Sequence, residues 1–311
     1  MQFKASKRLR NPNEENLNVN EKTNTAGVQQ NEAKTVKILH SQQSDHSEIG
    51  HRQSKTKANV DGFRYPWPFP RNPSKWHIWK SRATMTFVYF CAKTMFAGGN
   101  KLVVNNRDTF LKLFEDKSRS LLTISNHRCT IDDPLMWALI PISKFFKNID
   151  RFRYTPAAHN ICFTKASHTY WFSLGRCVPI VRGSGVFQEC VDFCIEKLND
   201  KKWIHLFPEG KVTPNPIRIK WGVGRMINET EEPPIVLPIW VNGMSKVWAS
   251  APPYYPKFGN TVEVTVGEPL DMKTYLLSLQ SNVEIERRKK ITDKIQDTLF
   301  ELGGCKDLVK H

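Results

Sequence analysis

The sequence lacks any uninterrupted apolar run of the roughly 18 residues that a membrane-spanning helix requires. Its mean hydropathy of -0.48 also excludes a polytopic membrane protein. We therefore expect any contact with a bilayer to take place at the bilayer surface.

Paired cysteine motifs are also lacking. The seven cysteines are odd in number and contain no CxxC pair, so we predict neither a disulfide framework nor a structural zinc site. His127, Cys129 and Asp132 have no second cluster with metal-ligand spacing, so no metal is predicted. A P-loop, an HExxH motif and a GxGxxG motif between strand and helix are missing as well, and no cofactor is predicted.

Aromatic residues are scarce in the first 60 positions, and all nine tryptophans lie beyond Asp61. We predict that residues 1–60 form a disordered basic and polar tail and that residues 61–311 form the folded domain. Four basic residues precede the first acidic one, Glu14, as in a transit peptide. A solvated tail is favoured because no amphipathic helix follows.

Acidic residues are outnumbered by basic ones, 30 to 46, which gives a formal net charge of +16. A field of this sign attracts polyanions, either nucleic acid or an anionic lipid surface. No nucleic-acid-binding motif is present, so we expect a membrane surface and no nucleic acid as partner. A non-catalytic protein that binds anionic membranes remains an alternative.

Aromatic, proline and basic residues alternate after residue 62, and we predict an interfacial membrane-contacting segment at about residues 63–97. Its membrane contacts are expected at Trp76, Trp79 and Phe87, because amphipathic rings beside cations suit the headgroup layer. The apolar part, residues 83–97, is interrupted by Lys93. It lies in the interface or forms a buried helix, and the sequence leaves both open.

Short apolar runs alternate with helical patterns over the rest of the chain. Strands are expected at residues 121–125, 161–164, 178–181, 203–207, 235–241 and 262–266. The helix after residue 186 is expected to bury Phe187, Cys194 and Leu198. We therefore predict an α/β fold with a mixed central sheet covered by helices. Pro234 and Pro238 place the strand at 235–241 at a sheet edge.

His127 lies on a loop that leaves the strand at 121–125 and enters a helix, for which Asp133 is a suitable N-cap and Pro134 a suitable first residue. Such loops usually carry the functional sites of α/β sheets. A turn there can bring Asp132 to one imidazole nitrogen, which leaves the other nitrogen of His127 free to act as a base.

An alcohol hydroxyl with a pKa of roughly 15 cannot be ionised in advance by an imidazole of pKa ~6.5, because this would cost about 12 kcal/mol. The proton must leave while the oxygen attacks its target carbon. His127 is therefore predicted to be a general base that acts on a substrate hydroxyl, so that no Ser or Cys of the chain has to form a covalent intermediate.

Three further segments carry candidate substrate-binding residues. Glu209, Gly210 and Lys211 form a turn after the strand at 203–207, where a carboxylate beside a lysine suits a polar headgroup. Two arginines, at 176 and 182, flank the strand at 178–181 and can bind phosphate. Asn126, directly before His127, completes the predicted set.

These segments, in this order, resemble the blocks of the glycerolipid acyltransferase superfamily. The blocks are His127-x4-Asp132, Gly175 to Arg182, Pro208-Glu209-Gly210 and the Ile-Val-Leu-Pro run at residues 235–238. The resemblance covers roughly residues 65–275 and is strongest to the phospholipid transacylases within the superfamily.

The resemblance implies a CoA-independent transacylase that moves acyl chains between phospholipids and lysophospholipids and remodels cardiolipin at mitochondrial membranes facing the intermembrane space. His127 and Asp132 match its catalytic pair. Residues 217–240 align with a segment held to contact the membrane, which adds Trp221 and Trp240 to the expected contacts. An acyl-CoA-dependent lysophospholipid acyltransferase, with the same His and Asp, remains an alternative.

Overall fold

A sheet of six strands forms the centre of the computed structural model, which describes residues 62–249, 252–279 and 283–309. The tail predicted at residues 1–60 lies outside these ranges. The strands, in chain order, are β1 Lys101–Asn105, β2 Leu121–Ser125, β3 Thr155–Ala158, β4 Cys177–Ile180, β5 Trp203–Leu206, β6 Ile235–Asn242, β7 Thr261–Val266 and β8 Leu270–Asp271.

Helices cover both faces of this sheet. They are α1 Lys75–Ala97, α2 Arg107–Glu115, α3 Asp132–Met136, α4 Ile142–Lys147, α5 His159–Cys162, α6 Ala166–Leu174, α7 Glu189–Asn199, α8 Gly222–Glu229, α9 Met244–Val247, α10 Met272–Ser278 and α11 Glu284–Leu302. Among the described residues, no helix is long and apolar enough to cross a bilayer.

The sheet has the order β1-β7-β6-β2-β5, and β8 pairs with one end of β6. β2 pairs in parallel with both β5 and β6, whereas β7 runs antiparallel to β6. The separate pair β3-β4 is also parallel and joins the side of β5 through a parallel bridge between Tyr154 and Ile204. The predicted mixed sheet is confirmed.

β2 separates two apolar cores. Leu121 packs with α1 and α2 on one side, whereas Leu122 and Ile124 pack with α7, α8 and α11 on the other. All five residues of β2 are buried, as expected for a parallel strand covered on both faces. The layers are helix, sheet and helix, which confirms the predicted α/β architecture.

The prediction that β6 lies at a sheet edge is wrong. β2 pairs along one side of β6, while β8 and then β7 pair along the other. Pro238 lies between the registers of β8 and β7, and its carbonyl accepts a hydrogen bond from Gly267 N at 2.9 Å. A proline without an N–H donor is tolerated where the partner strand changes.

Two local predictions are also wrong. Residues 161–164 form no strand, because the chain turns into α5 directly after β3, and a short apolar run does not distinguish helix from strand. Phe187 precedes α7 and is exposed rather than buried. Its ring lies against the guanidinium groups of Arg225 and Arg288.

α1 contains the segment at 83–97 and is buried on one face only. Met85, Tyr89 and Ala92 are buried in the core, whereas Phe87 on another face is 71% exposed. The helix begins after Ser74, whose hydroxyl accepts a hydrogen bond from His77 N at 3.2 Å. α1 is therefore a core helix with an exposed aromatic face.

Candidate active site

The loops after β2 and β5 meet at one edge of the sheet, because the two strands are parallel neighbours. His127 lies two residues beyond the end of β2, and Phe207 directly follows β5. The Phe207 ring stacks on the imidazole of His127, with ring centroids 4.2 Å apart and planes 21° apart. The sheet topology thus fixes the histidine at the carboxyl edge, where α/β proteins place their sites.

Asp132 holds the inner nitrogen of His127. The distance from His127 Nδ1 to Asp132 Oδ2 is 2.9 Å, and the carboxylate side chain is 1% exposed against 17% for the histidine. An ionised carboxylate accepts, so Nδ1 carries the proton and Nε2 is left as a base. The pair predicted from the sequence is thus brought together.

The Asp132 carboxylate is itself fixed by the backbone of the loop. Its Oδ2 accepts hydrogen bonds from Arg128 N at 2.7 Å and Cys129 N at 2.8 Å. Asp132 opens α3, where a negative charge near the helix N-terminus is favourable. These contacts fix the angle from which the carboxylate meets the imidazole.

Glu209 is buried rather than accessible to solvent. Its side chain is 0% exposed, and Arg128 Nη1 donates to Oε1 at 2.8 Å and to Oε2 at 3.0 Å. Burial raises the pKa of Glu209, while Arg128 acts against that rise. His127 N also donates to Glu209 Oε1, at 3.4 Å. The carboxylate therefore ties the His127 loop to the turn after β5, and we do not retain it as a direct substrate ligand.

Asn126 is committed to the fold. Its Nδ2 donates to Val241 O and its Oδ1 accepts from Val241 N, both at 2.8 Å. The side chain is buried and spans from the end of β2 to β6. The predicted contact of Asn126 with substrate is therefore replaced by a structural role.

The remaining predicted substrate residues lie on loops at the same carboxyl edge. Lys211 and Arg182 are exposed side chains that follow β5 and β4. Gly210 has φ +74°, a conformation that favours glycine. Arg176 is buried instead, and its Nη1 donates to Phe152 O at 2.6 Å, so it is no phosphate ligand here.

The expected membrane contacts fall into two groups. Trp76 and Trp79 of α1 are 61% and 57% exposed and stack on each other at 4.8 Å, and Phe87 is also exposed. Trp221 is half-buried. Trp240 lies in the core at 8% exposure, so we withdraw it as a membrane contact.

A second polar cluster lies beneath the site. Asp133, the residue expected to cap α3, instead forms a buried ion pair with Arg153 and accepts a hydrogen bond from Thr155 Oγ1 at 2.9 Å. Burial acts to raise the pKa of Asp133, but Arg153 holds it below its ordinary value. The carboxylate is thus ionised and is held by Arg153 and Thr155.

His205 of β5 belongs to the same buried layer. It is 0% exposed, and its Nδ1 lies 2.8 Å from Thr123 Oγ1. Burial lowers the pKa of His205 from 6.5 to about 3, so the ring is neutral. Its edge meets the Phe207 ring at 4.6 Å, which supports the ring stacked on His127.

Three residues around the site were not anticipated from the sequence: Arg128, Phe207 and His205. Arg128 offered a signal, because a cation beside the catalytic candidate needs a carboxylate partner if it is buried. Among the described residues, no cluster of three or more His, Cys, Asp and Glu side chains is suited to hold a metal ion.

The sequence matches the family described as Acyltransferase over residues 101–242. That range contains His127, Asp132 and Glu209. It also spans β1 to β6 and so includes every loop at the carboxyl edge described above.

Curated relatives match a larger part of the chain. Tafazzin from Drosophila melanogaster is 39% identical over 77% of this chain and 65% of its own length. Tafazzin from Saccharomyces cerevisiae is 31% identical over 65% of each chain. N-acylphosphatidylethanolamine synthase from Arabidopsis thaliana is 36% identical over 55% of this chain and 64% of its own.

The chain thus spans just under two thirds of the length of the curated relatives it matches, from 62 to 65%. Among solved structures, the 1-acyl-sn-glycerophosphate (LPA) acyltransferase PlsC from Thermotoga maritima is similar, with a TM-score of 0.47 and 18% identity over 76% of this chain and 83% of that one. The chain belongs to the glycerolipid acyltransferase superfamily, and within it the chain is similar to the tafazzins.

Proposed function

We propose that this chain is a phospholipid–lysophospholipid transacylase that remodels cardiolipin acyl chains without CoA. The observation that carries the proposal is the His127–Asp132 pair, 2.9 Å apart at the carboxyl edge of the sheet, with Nε2 of the histidine left as a base. The similarity to proteins named tafazzin supports the choice of lipid.

In the proposed reaction, His127 Nε2 removes the proton of a lysophospholipid hydroxyl while that oxygen attacks the ester carbonyl of a donor phospholipid. A new C–O bond forms, and the tetrahedral intermediate then expels the alkoxide of the donor. The imidazolium returns its proton to this leaving oxygen. Asp132 stabilises the imidazolium in both half-reactions.

The reaction exchanges one carboxylic ester for another, so its free energy is close to zero. It therefore needs no energy-rich acyl donor, and lipid composition and packing decide its direction. Neither half-reaction uses a covalent acyl-enzyme, because the substrate hydroxyl is itself the nucleophile. The chain has to provide a base and a place where two lipids meet.

The lipid is proposed to reach the site from a membrane surface in contact with α1 and α6. Lys80 Nζ lies 5.4 Å from the Trp76 ring and 5.5 Å from the Tyr170 ring of α6. The stacked pair Trp76 and Trp79 is therefore close to Tyr170. Trp171 is 60% exposed. Exposed rings around an ammonium group suit the headgroup layer.

We place the protein on mitochondrial membranes facing the intermembrane space, as a peripheral or monotopic protein. Vesicles containing cardiolipin should bind it, and salt should weaken the electrostatic part of this binding. Flotation of the W76A/W171A variant should be reduced. A control is Leu277→Ala, which removes an exposed apolar side chain of α10, a helix that packs on the core opposite to that of α1.

One assay tests the reaction. The purified full chain is incubated with vesicles that contain lysocardiolipin. The donor is either phosphatidylcholine with a labelled acyl chain, with and without CoA, or labelled acyl-CoA. We expect the label to move from phosphatidylcholine to cardiolipin with and without CoA. Transfer from acyl-CoA alone would replace the proposal by an acyl-CoA-dependent acyltransferase. Vesicle binding with no transfer from either donor would indicate the non-catalytic membrane-binding alternative.

A further inference from the structure

A groove of about 670 Å³ lies between the C-terminal half of α1, strand β1 and the turn that follows α3. None of His127, Asp132, Phe207 and Glu209 lines it. The groove is therefore a feature that the proposed reaction does not use.

Three basic side chains line this groove. Lys93 projects from α1, Lys101 begins β1, and Arg107 begins α2, and no acidic residue is among the lining side chains that the structure describes. No ion pair joins any of the three to a carboxylate within the described part of the chain. The positive charge of the groove is uncompensated there.

The hydrogen bonds of two of these cations go to backbone oxygens, and Lys93 Nζ also lies 5.5 Å from the Tyr89 ring centroid. Lys93 Nζ donates to Ala138 O at 2.6 Å, and Arg107 Nη2 donates to Leu139 O. Arg107 Nε is buried and has no hydrogen-bond partner among the described residues. Burial and the nearby Arg107 lower the pKa of Lys93. A bound anion would relieve the repulsion between the two cations.

Apart from Asn100, whose amide is hydrogen-bonded to Lys257 O and Asn260 N, the rest of the lining that the structure describes has no polar side chain. Leu102 and Val104 point to the same side of β1, and Phe96 and Leu139 complete the wall. All four sit beside the cations in one open groove. A ligand that matches this lining has an anionic group and a hydrocarbon chain.

The position of the groove favours a lipid from a membrane. Phe87 and Phe90, which precede Lys93 by six and three residues on α1, are 71% and 42% exposed. Exposed rings on the helix that carries Lys93 bring the groove close to any bilayer that these rings enter.

We propose that this groove binds one anionic phospholipid, with its phosphate between Lys93 and Arg107 and an acyl chain along Leu102 and Val104. The site is separate from the proposed catalytic pair. Its ligand is held rather than transformed. The turn of Ala138 and Leu139 directly follows α3, the helix that Asp132 opens, so an occupied groove supports the segment behind the catalytic pair.

Lysine footprinting of the full chain tests the proposal residue by residue. Amines are reductively methylated in the presence of dihexanoylphosphatidylglycerol, dihexanoylphosphatidylcholine or glycerophosphoglycerol, and mass spectrometry quantifies each lysine. At a lipid concentration about four times the Kd, methylation of Lys93 should fall about fivefold with the anionic lipid. Lys112, an exposed lysine of α2 outside the groove, should be unaffected.

Variants separate charge from fold. Arg107→Gln should abolish the protection of Lys93, Arg107→Lys should retain most of it, and Lys112→Gln, which removes one charge elsewhere, should leave it unchanged. His127→Ala should also leave it unchanged, so failure of the reaction and failure of this site are distinguishable.

Two results would overturn the proposal. One is equal protection of Lys93 by glycerophosphoglycerol, which would show a site for a small anion without a lipid chain. The other is protection that is absent with the anionic lipid or equally strong with the phosphatidylcholine.

Discussion

Two histidines and two consecutive aspartates form two layers of this molecule with opposite properties. His127 and Asp132 lie on the loop after β2, where the imidazole is 17% exposed. His205 and Asp133 lie beneath it, where the histidine is 0% exposed and Asp133 is bound by Arg153. The same residue types form a usable base in one layer and a fixed scaffold in the other.

Hydrogen-bond partners and burial explain the difference. Asp132 accepts from His127 Nδ1, which fixes the ring tautomer and leaves Nε2 without a proton. The near neighbours of His205 are hydroxyl oxygens, Thr123 Oγ1 at 2.8 Å and Ser125 Oγ at 3.5 Å, and burial keeps the ring neutral with a pKa of about 3. A histidine is thus a catalytic candidate only where its charged form is both reachable and supported.

The largest expected effect is on His127. His127→Ala should lower the rate of acyl transfer by about 10³-fold or more, the scale of general-base catalysis. Vesicle flotation should be unchanged, because the side chain lies outside the aromatic surface of α1 and α6. His205→Asn should retain most activity in the same assay. Acyl transfer that survives in H127A would break the comparison and the catalytic assignment with it.

The second effect concerns the sealed layer. Arg153→Met should reduce the free energy of unfolding by about 3–5 kcal/mol, because Asp133 is left as a buried charge without its partner. Urea denaturation at pH 7 measures this loss. The double variant D133N/R153M should recover part of it, since no uncompensated charge remains. A loss below about 1 kcal/mol in R153M would contradict a sealed ion pair.

The sequence predicted the accessible layer, which contains His127 and Asp132, better than the sealed layer beneath it, for a physical reason. His127 and Asp132 are five residues apart within one strand-to-helix loop, so local geometry brings them together. Arg128 and Glu209 are 81 residues apart, and their contact exists only because β2 and β5 are neighbours. Long-range pairing of this kind is not visible in a local pattern.

The same distinction holds for the fold. Helix α11 was predictable because Ile291, Ile295 and Leu299 repeat on one face, and all three are buried. The central place of β6 was not, because it depends on β7 and β8 returning beside it from later in the chain. Pro234 and Pro238 predicted an edge strand from local propensity alone, whereas the pairing of later strands sets the position of β6.

The third effect is on pH dependence. Because the pKa of His205 falls from 6.5 to about 3 on folding, the unfolded chain binds a proton in this range that the folded chain does not. The stability that comes from a neutral His205 is therefore complete above about pH 6.5 and is lost as the pH falls toward 3. Between pH 6.5 and 5 this amounts to about 2 kcal/mol.

Urea denaturation at several pH values measures this contribution. His205→Asn, whose amide can replace the contact of Nδ1 with Thr123, should show a smaller loss of stability on acidification than the original chain. Parallel curves for the two proteins would show that another group is responsible and that the sealed histidine does not titrate on unfolding as described.

The smallest expected effect is on Glu209, the residue between the two layers. Glu209 is as buried as His205 but contacts the backbone N–H of His127, so we expect it to act by positioning the base. Glu209→Gln should lower kcat about tenfold, equal to about 1.4 kcal/mol and the scale of one charge-assisted hydrogen bond, with KM for the lysophospholipid changed less than about twofold. Arg128→Lys, which keeps a cation on the carboxylate, should lose less kcat than Arg128→Gln. A rise in KM with kcat unchanged would instead place Glu209 against the substrate hydroxyl. Glu209 would then belong with His127 and Asp132 in the accessible layer rather than with His205 and Asp133 in the sealed one.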